Sequence, residues 1–94
     1  MTSKQRKKIE IEFYNYEANQ NVLWKTVFDR TLIICEGKPY KGQQLDEVLK
    51  LLYIEHKKIY AICAVLDICE DDFYKKKRKI KNIALDEAQK LKLL

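Results

Sequence analysis

The stretch KIYAICAVLDICEDDFYKKKRKI, residues 58–80, decides how this chain folds. Apolar residues recur at intervals of three and four in its first part, which predicts a helix with one buried face: Ile59, Ile62, Cys63 and Leu66. Residues 67–69 interrupt that spacing and predict a short turn. Three acids at 70–72 then favour the start of a second helix, because negative charge is stabilising in a first helical turn.

The second helix has apolar residues on one side and a dense run of cations between them. Phe73 and Ile80 are two turns apart, and Ile68 in the turn can point into the joint between the helices. Lysine or arginine occupies every position from 75 to 79, and Lys81 follows. Two helices joined by a short turn, with cations on the second, have the layout of a helix-turn-helix, whose second helix enters the DNA major groove.

A plainer interpretation of the same residues stays open. Two amphipathic helices joined by a turn are common in small helical proteins, and a lysine run is often only a solvated face. The apolar residue at the centre of the turn and the position of the cations after it favour the helix-turn-helix.

The rest of the chain predicts helices on either side of one loop. Ninety-four residues suit a single domain, 1–94. Both glycines and the only proline lie in GKPYKG at 37–42, so we expect a loop at 36–44. This loop separates N-terminal helices within 1–35 from a helix-turn-helix unit at 45–94.

Periodicity also assigns the individual elements outside the opening stretch. Apolar spacing predicts helices at 21–34 and 45–54. Residues 9–16 fit either a helix or a strand, and we favour the helix because a lone strand has no pairing partner. The last helix can run on to Leu94. The expected fold class is therefore all-α, a small helical bundle with a C-terminal helix-turn-helix.

Charge and cysteine usage narrow the function classes. The net charge of +5 suits a polyanionic partner. Three cysteines without CxxC spacing, with one histidine, predict reduced thiols and a cytoplasmic location rather than a disulfide framework or a zinc site. No apolar run reaches the roughly 18 residues of a membrane span. Because no Ser/His/Asp set or phosphate-binding loop is present, we expect no enzyme activity, no cofactor and no metal.

The C-terminal half also resembles a known family. The segment LDEVLKLLYIEHKKIYAICAVLDICEDDFYKKKRKIKNIA, residues 45–84, is similar to the region-4-type helix-turn-helix of sigma factors, and it most resembles small phage-encoded transcriptional regulators of the RinA/ArpU type. Residues 7–25 are similar to the opening of those proteins. The resemblance implies a regulator of phage or prophage origin that reads the major groove with a helix beginning near Asp71. Cys69 departs from it, because serine or threonine usually caps that helix.

The same helix supplies the expected DNA contacts. With Phe73, Lys77 and Ile80 facing inward, we expect base contacts from Asp72, Lys75 and Arg78. We expect phosphate contacts from five lysines: Lys57, Lys58, Lys76, Lys79 and Lys81. The expected partner is double-stranded DNA.

A second function class stays open, a non-catalytic helical interaction module that binds RNA polymerase or another phage protein. Asp71 and Asp72 favour it because they repel phosphate, and so do uncovered leucines near the C-terminus: Leu91, Leu93 and Leu94. These leucines, with the N-terminal aromatic residues, exceed what one three-helix motif needs: Phe13, Tyr14, Tyr16 and Trp24. We therefore expect a homodimer, the alternative being a monomeric five-helix domain that uses the same aromatics.

Overall fold

The protein consists of five helices and has no strand, in a computed structural model that describes all residues from Met1 to Leu94. The helices are α1 (Ser3–Tyr14), α2 (Val22–Glu36), α3 (Leu45–Leu49), α4 (Ile59–Leu66) and α5 (Glu70–Lys90). A π-helical turn, Lys50–Ile54, continues α3 without a break. The predicted all-α bundle is confirmed, and the ambiguous segment near Phe13 is helical. None of the helices is both long and apolar enough to cross a membrane.

Both N-terminal helices begin at side-chain caps. The Thr2 hydroxyl accepts from the backbone N–H of Gln5, while the Gln5 side chain accepts from the backbone N–H of Thr2. This reciprocal pair is a capping box, and it starts α1 earlier than the apolar spacing alone indicates. Asn21 caps α2, because its side-chain oxygen accepts from the backbone N–H of Leu23.

One apolar cluster of 18 buried residues, drawn from all five helices, forms the core. Phe13 is 1% exposed and Trp24 is 4% exposed, and the Tyr16 ring stacks on Phe28 at a centroid distance of 4.1 Å. The radius of gyration is 12.6 Å, close to the roughly 12 Å of a folded chain of this length. Most of the N-terminal aromatics are therefore used within one chain, and only Tyr14 remains largely exposed.

The π-helical turn that follows α3 packs against α1. The backbone N–H of Glu55 donates to the carbonyl oxygen of Lys50 at 3.0 Å, which closes the wider turn. Tyr53 lies within the turn and is fully buried. Its ring meets the edge of Phe13 at a centroid distance of 5.6 Å, so the turn carries a large side chain into the core beneath α1.

The end of α5 folds back onto the core. Lys92 has a φ of 58°, and the N–H of Leu93 donates to the carbonyl oxygen of Ala88 at 2.9 Å. The N–H of Lys92 donates to Gln89 at 3.0 Å, which completes a Schellman motif. The three C-terminal leucines pack against the core: Leu91, Leu93 and Leu94. The expectation of a helix that reaches Leu94 with uncovered leucines is therefore wrong. The homodimer stays a prediction, but exposed C-terminal leucines no longer support it.

A three-residue turn, residues 67–69, joins α4 to α5. Asp67 adopts a left-handed conformation with a φ of 55°, and the N–H of Ile68 donates to the carbonyl oxygen of Cys63 at 3.0 Å. Ile68 is half-buried and packs against the core. Cys69 precedes α5 without a side-chain capping bond, as its thiol predicts. The two helices and the turn lie at the residues that the apolar spacing predicted.

Candidate nucleic-acid interface

The two sides of α5 differ sharply in their surroundings. Its inward side is fully buried at four positions: Phe73, Ile80, Ala84 and Ala88. Its outward side is exposed at six positions: Asp71, Asp72, Lys75, Arg78, Lys79 and Asn82. The helical register on which the site prediction depends is therefore the one that the structure contains.

The three predicted base-contacting residues are available to a partner. Asp72, Lys75 and Arg78 are exposed on the first three turns of α5. None of their three side chains forms a hydrogen bond or a salt bridge within the chain. An aspartate can accept from cytosine, and an arginine can donate two hydrogen bonds to guanine, so these residue types suit base edges.

Two of the predicted phosphate-contacting lysines hold the loop before α3 in place. Lys76 Nζ donates to the carbonyl oxygen of Gln43 at 2.7 Å and is half-buried. Lys79 Nζ donates to Gln43 Oε1 at 3.0 Å and stays exposed. Lys57 and Lys58, by contrast, are exposed at the entry to α4. The five lysines therefore do not form one uniform surface.

Lys81 is turned toward α1 rather than toward solvent. Its Nζ lies 3.1 Å from Glu10 Oε2, and its side chain is only 14% exposed. Lys77, predicted to face inward, reaches the same carboxylate at 3.2 Å from Oε1. The Tyr53 hydroxyl donates to Glu10 Oε2 at 2.5 Å. Lys81 is therefore not a free surface cation, and the prediction that it contacts a DNA phosphate has less support.

The charges in this Glu10 network are fixed by their neighbours. Burial by itself would raise the pKa of Glu10, but the Tyr53 hydrogen bond and the charges of Lys77 and Lys81 outweigh it, and the pKa is lowered. Burial, followed by the adjacent carboxylate, raises the pKa of Tyr53. At neutral pH the carboxylate is ionised and the phenol is protonated. Two ion pairs and one hydrogen bond to Glu10 therefore link α1, the π-helical turn and α5.

A second ion cluster fastens the last turns of α5 to α2. Glu87 is 2% exposed, and its Oε2 accepts from Arg30 Nε at 2.8 Å while Oε1 lies 3.3 Å from Lys90 Nζ. Burial would raise the pKa of Glu87, but the hydrogen bonds from Arg30 and Lys90 prevail and lower it. This cluster positions α5 from the end opposite to its exposed cations.

A basic cleft of about 510 Å³ lies between the start of α1 and α5. Its walls are Met1, Tyr74, Asn82 and four cations: Arg6, Lys77, Arg78 and Lys81. Local sequence patterns do not indicate this cleft, because they do not place the early cations of α1 beside α5. The capping box at Thr2 is the sequence signal that α1 begins early enough for Arg6 to lie on this helix.

The cysteines lie in three different environments, and all are free thiols. Cys35 is buried, and burial raises its pKa to about 12. Burial likewise raises the pKa of the half-buried Cys63. Cys69 is exposed, so only one of the three thiols, that of Cys35, lies fully in the core.

Comparison of this chain with protein-family models, with curated proteins and with solved structures gives no match.

The chemistry available on α5 follows from its residue types. Ammonium and guanidinium groups bind phosphate, and Arg78 and Asn82 also match the donor and acceptor patterns of base edges. Asp71 and Asp72 add acceptors at the start of the helix.

Proposed function

We propose that this protein is a DNA-binding transcriptional regulator that places α5 in the major groove. The observation that carries the proposal is the exposed pair Lys75 and Arg78, which follows the turn from α4 and has no partner within the chain. A major groove about 12 Å wide admits one helix. The resemblance to phage regulators supports the same class, and the proposal includes a phage or prophage origin and a cytoplasmic location.

The contacts divide into those that select sequence and those that set affinity. Asp72, Lys75 and Arg78 are proposed to meet base edges, and Lys57 and Lys58 to meet phosphates beside α4. Phosphate contacts also fall to Lys76, Lys79 and Lys81, although each of these already has a partner in the chain.

The acids at the start of α5 restrict the kind of target. Residues near the N-terminus of a reading helix approach base edges most closely, so Asp71 and Asp72 need donors there. Cytosine N4 is the donor that a carboxylate accepts from in the major groove. The proposal therefore predicts a target with cytosine facing the start of α5.

A salt titration tests the proposal most directly. Binding of the full chain to a fluorescent random duplex is measured by anisotropy over a range of salt concentrations. We expect log K to fall linearly with log salt, with a slope of about −0.9 for each phosphate contacted. Undetectable binding at low salt, or affinity that does not change with salt, would contradict DNA binding.

Arg78→Ala tests the base-reading assignment. A selection from a random-sequence pool first supplies the preferred duplex. On that duplex we expect a loss of about 1–3 kcal/mol for the variant and a relaxed preference at one base pair, because a bidentate contact to guanine is removed. An equal loss on every sequence would make Arg78 a phosphate contact instead.

A second candidate function is a helical adaptor that binds RNA polymerase or another protein, and one observation favours it. α4 contains no charged residue, yet Tyr60 is 73% exposed and Val65 is 69% exposed on it. Binding of purified RNA polymerase, measured for the wild type and for Tyr60→Ser with Val65→Ser, tests this candidate. Loss of polymerase binding in the double variant, with no salt-dependent DNA binding by the wild type, would favour the adaptor.

A further inference from the structure

The basic cleft between α1 and α5 holds positive charge that the proposed groove contact uses only in part. Four cationic side chains line it, and Glu10 beside it compensates one of their charges, which leaves a net +3 (4 − 1). Arg6 and Arg78 have no salt bridge. Lys77 and Lys81 are held in place by the shared carboxylate, so their charges are fixed at the cleft before any ligand arrives.

We infer that this cleft binds a phosphate group of the DNA backbone, and that Arg6 of α1 is the side chain that contacts it. A guanidinium presents a planar fork of donors that matches two phosphate oxygens. Arg6 uses one nitrogen, Nη2, for the carbonyl oxygen of Met1 at 3.3 Å, which leaves its other donors free. Asn82 and the Tyr74 hydroxyl add donors that carry no charge.

The source of the phosphate follows from the position of Arg78. Arg78 belongs both to the outward face of α5 and to the wall of the cleft, so the two surfaces are continuous. A DNA strand that borders the groove occupied by α5 therefore passes the mouth of the cleft. This inference rests on the proposed function and adds to it a contact from a second element, which fixes the rotation of α5 in the groove.

Nuclear magnetic resonance of the arginine side chains tests the contact directly. The chain contains three arginines, and Arg30 is held by Glu87 at 2.8 Å, so its Nε–H signal is an internal reference. We expect a random duplex to shift the Arg6 and Arg78 signals and to leave Arg30 in place. A shift of Arg78 without Arg6 would overturn the inference while leaving the proposed function intact.

Pyrophosphate at matched ionic strength separates the two sources of phosphate. We expect it to shift the Arg6 signal only at far higher concentration than DNA does, because DNA adds the groove contact. A shift of Arg6 with pyrophosphate and none with DNA would show a phosphate site that does not serve the DNA backbone, and it would overturn the inference.

The salt dependence of DNA binding supplies an independent measurement. Arg6→Ala should make the slope of log K against log salt less steep by about 0.9, the value for one phosphate contact. Lys4→Ala is the matched control, because it removes the same charge from an exposed position of α1 that does not line the cleft. Arg6→Lys should recover only part of the affinity, since it keeps the charge without the fork.

The outcomes distinguish the two proposals. Equal slopes for Arg6→Ala and Lys4→Ala, with a steep slope for the wild type, would overturn the phosphate contact and leave DNA binding in place. Absence of salt-dependent binding by the wild type would overturn both. Circular dichroism melting of Arg6→Ala confirms that the bundle is intact, which we expect because Arg6 is exposed.

Discussion

Two sets of cations on the same helix, Lys75 with Arg78 and Lys77 with Lys81, show how differently one charge run can be used. The first pair is exposed and has no partner within the chain, whereas the second pair shares the Glu10 carboxylate on α1. The two pairs are interleaved in sequence and separate only when the helix is wound. A run of like charge therefore divides into a structural part and a part that is free to bind, and the division depends on the helical register and on where one acid lies.

The largest expected effect comes from removing the anchor of that register. Phe73→Ala should lower the free energy of unfolding by about 3–5 kcal/mol, because it truncates a fully buried aromatic side chain. Thermal melting followed by circular dichroism measures the change. Tyr74→Ala, at the adjacent and largely exposed position, is the control and should melt much closer to the wild type. An unchanged melting curve for Phe73→Ala would show that the inward and outward sides are assigned wrongly.

Removal of the shared acid should have the next largest effect. Glu10→Ala leaves the buried Tyr53 hydroxyl without an acceptor and the two lysines without their counter-charge, so we expect a loss of about 1–3 kcal/mol. Urea denaturation provides the measurement. Glu17→Ala, which removes an exposed acid, should stay within about 0.5 kcal/mol of the wild type. Equal effects from the two variants would mean that Lys77 and Lys81 are as free as Lys75.

Acid should weaken the ion pairs that Lys77 and Lys81 form with Glu10. The folded pKa of Glu10 is lowered, so its contribution to stability is fully present above the unfolded glutamate value of about 4.3 and is lost as the pH falls through the folded pKa. Glu87 contributes in the same direction. Below about pH 4.3 we expect the urea concentration at the unfolding midpoint of the wild type to decrease as the pH falls. In Glu10→Gln this decrease should be less steep. Parallel pH profiles for the two proteins would contradict this role of Glu10.

The smallest expected effects separate two adjacent lysines. Lys75→Ala should leave stability within about 0.5 kcal/mol and weaken DNA binding, because its side chain has no partner in the chain. Lys76→Ala should cost about 1 kcal/mol of stability, since its ammonium donates to the Gln43 carbonyl, and should change DNA affinity less. Melting and anisotropy on the same two variants measure both quantities. The reverse ranking would place Lys76, and not Lys75, on the binding face.

Local sequence patterns were sufficient to predict the helices and the buried side of α5. The spacing from Ile59 to Leu66 and from Phe73 to Ile80 predicted both helices and the turn, because burial of one helical face produces a period that is visible in the chain. The Asn21 cap is also a local feature, since capping acts over two or three residues.

The long-range pairings could not be predicted in this way. Glu10 meets Lys77 and Lys81, and Gln43 meets Lys76, across stretches of chain that carry no mark of the pairing. The Schellman motif at Lys92 was also missed, because a lysine rather than a glycine occupies the left-handed position. The candidate site was therefore predicted in its register and exposed residues, and missed where α1 and the loop contact it.

The loop before α3 determines whether α4 and α5 can be transferred to another protein with their mutual orientation intact. Gln44 Nε2 donates to the carbonyl oxygen of Leu66 at the end of α4, while Gln43 accepts from Lys76 and Lys79 on α5. Two neighbouring residues thus clamp both sides of the turn from outside it. A graft of residues 45–94 onto another scaffold would lose that clamp, so a transplant that preserves the mutual orientation of α4 and α5 has to begin at Gln43.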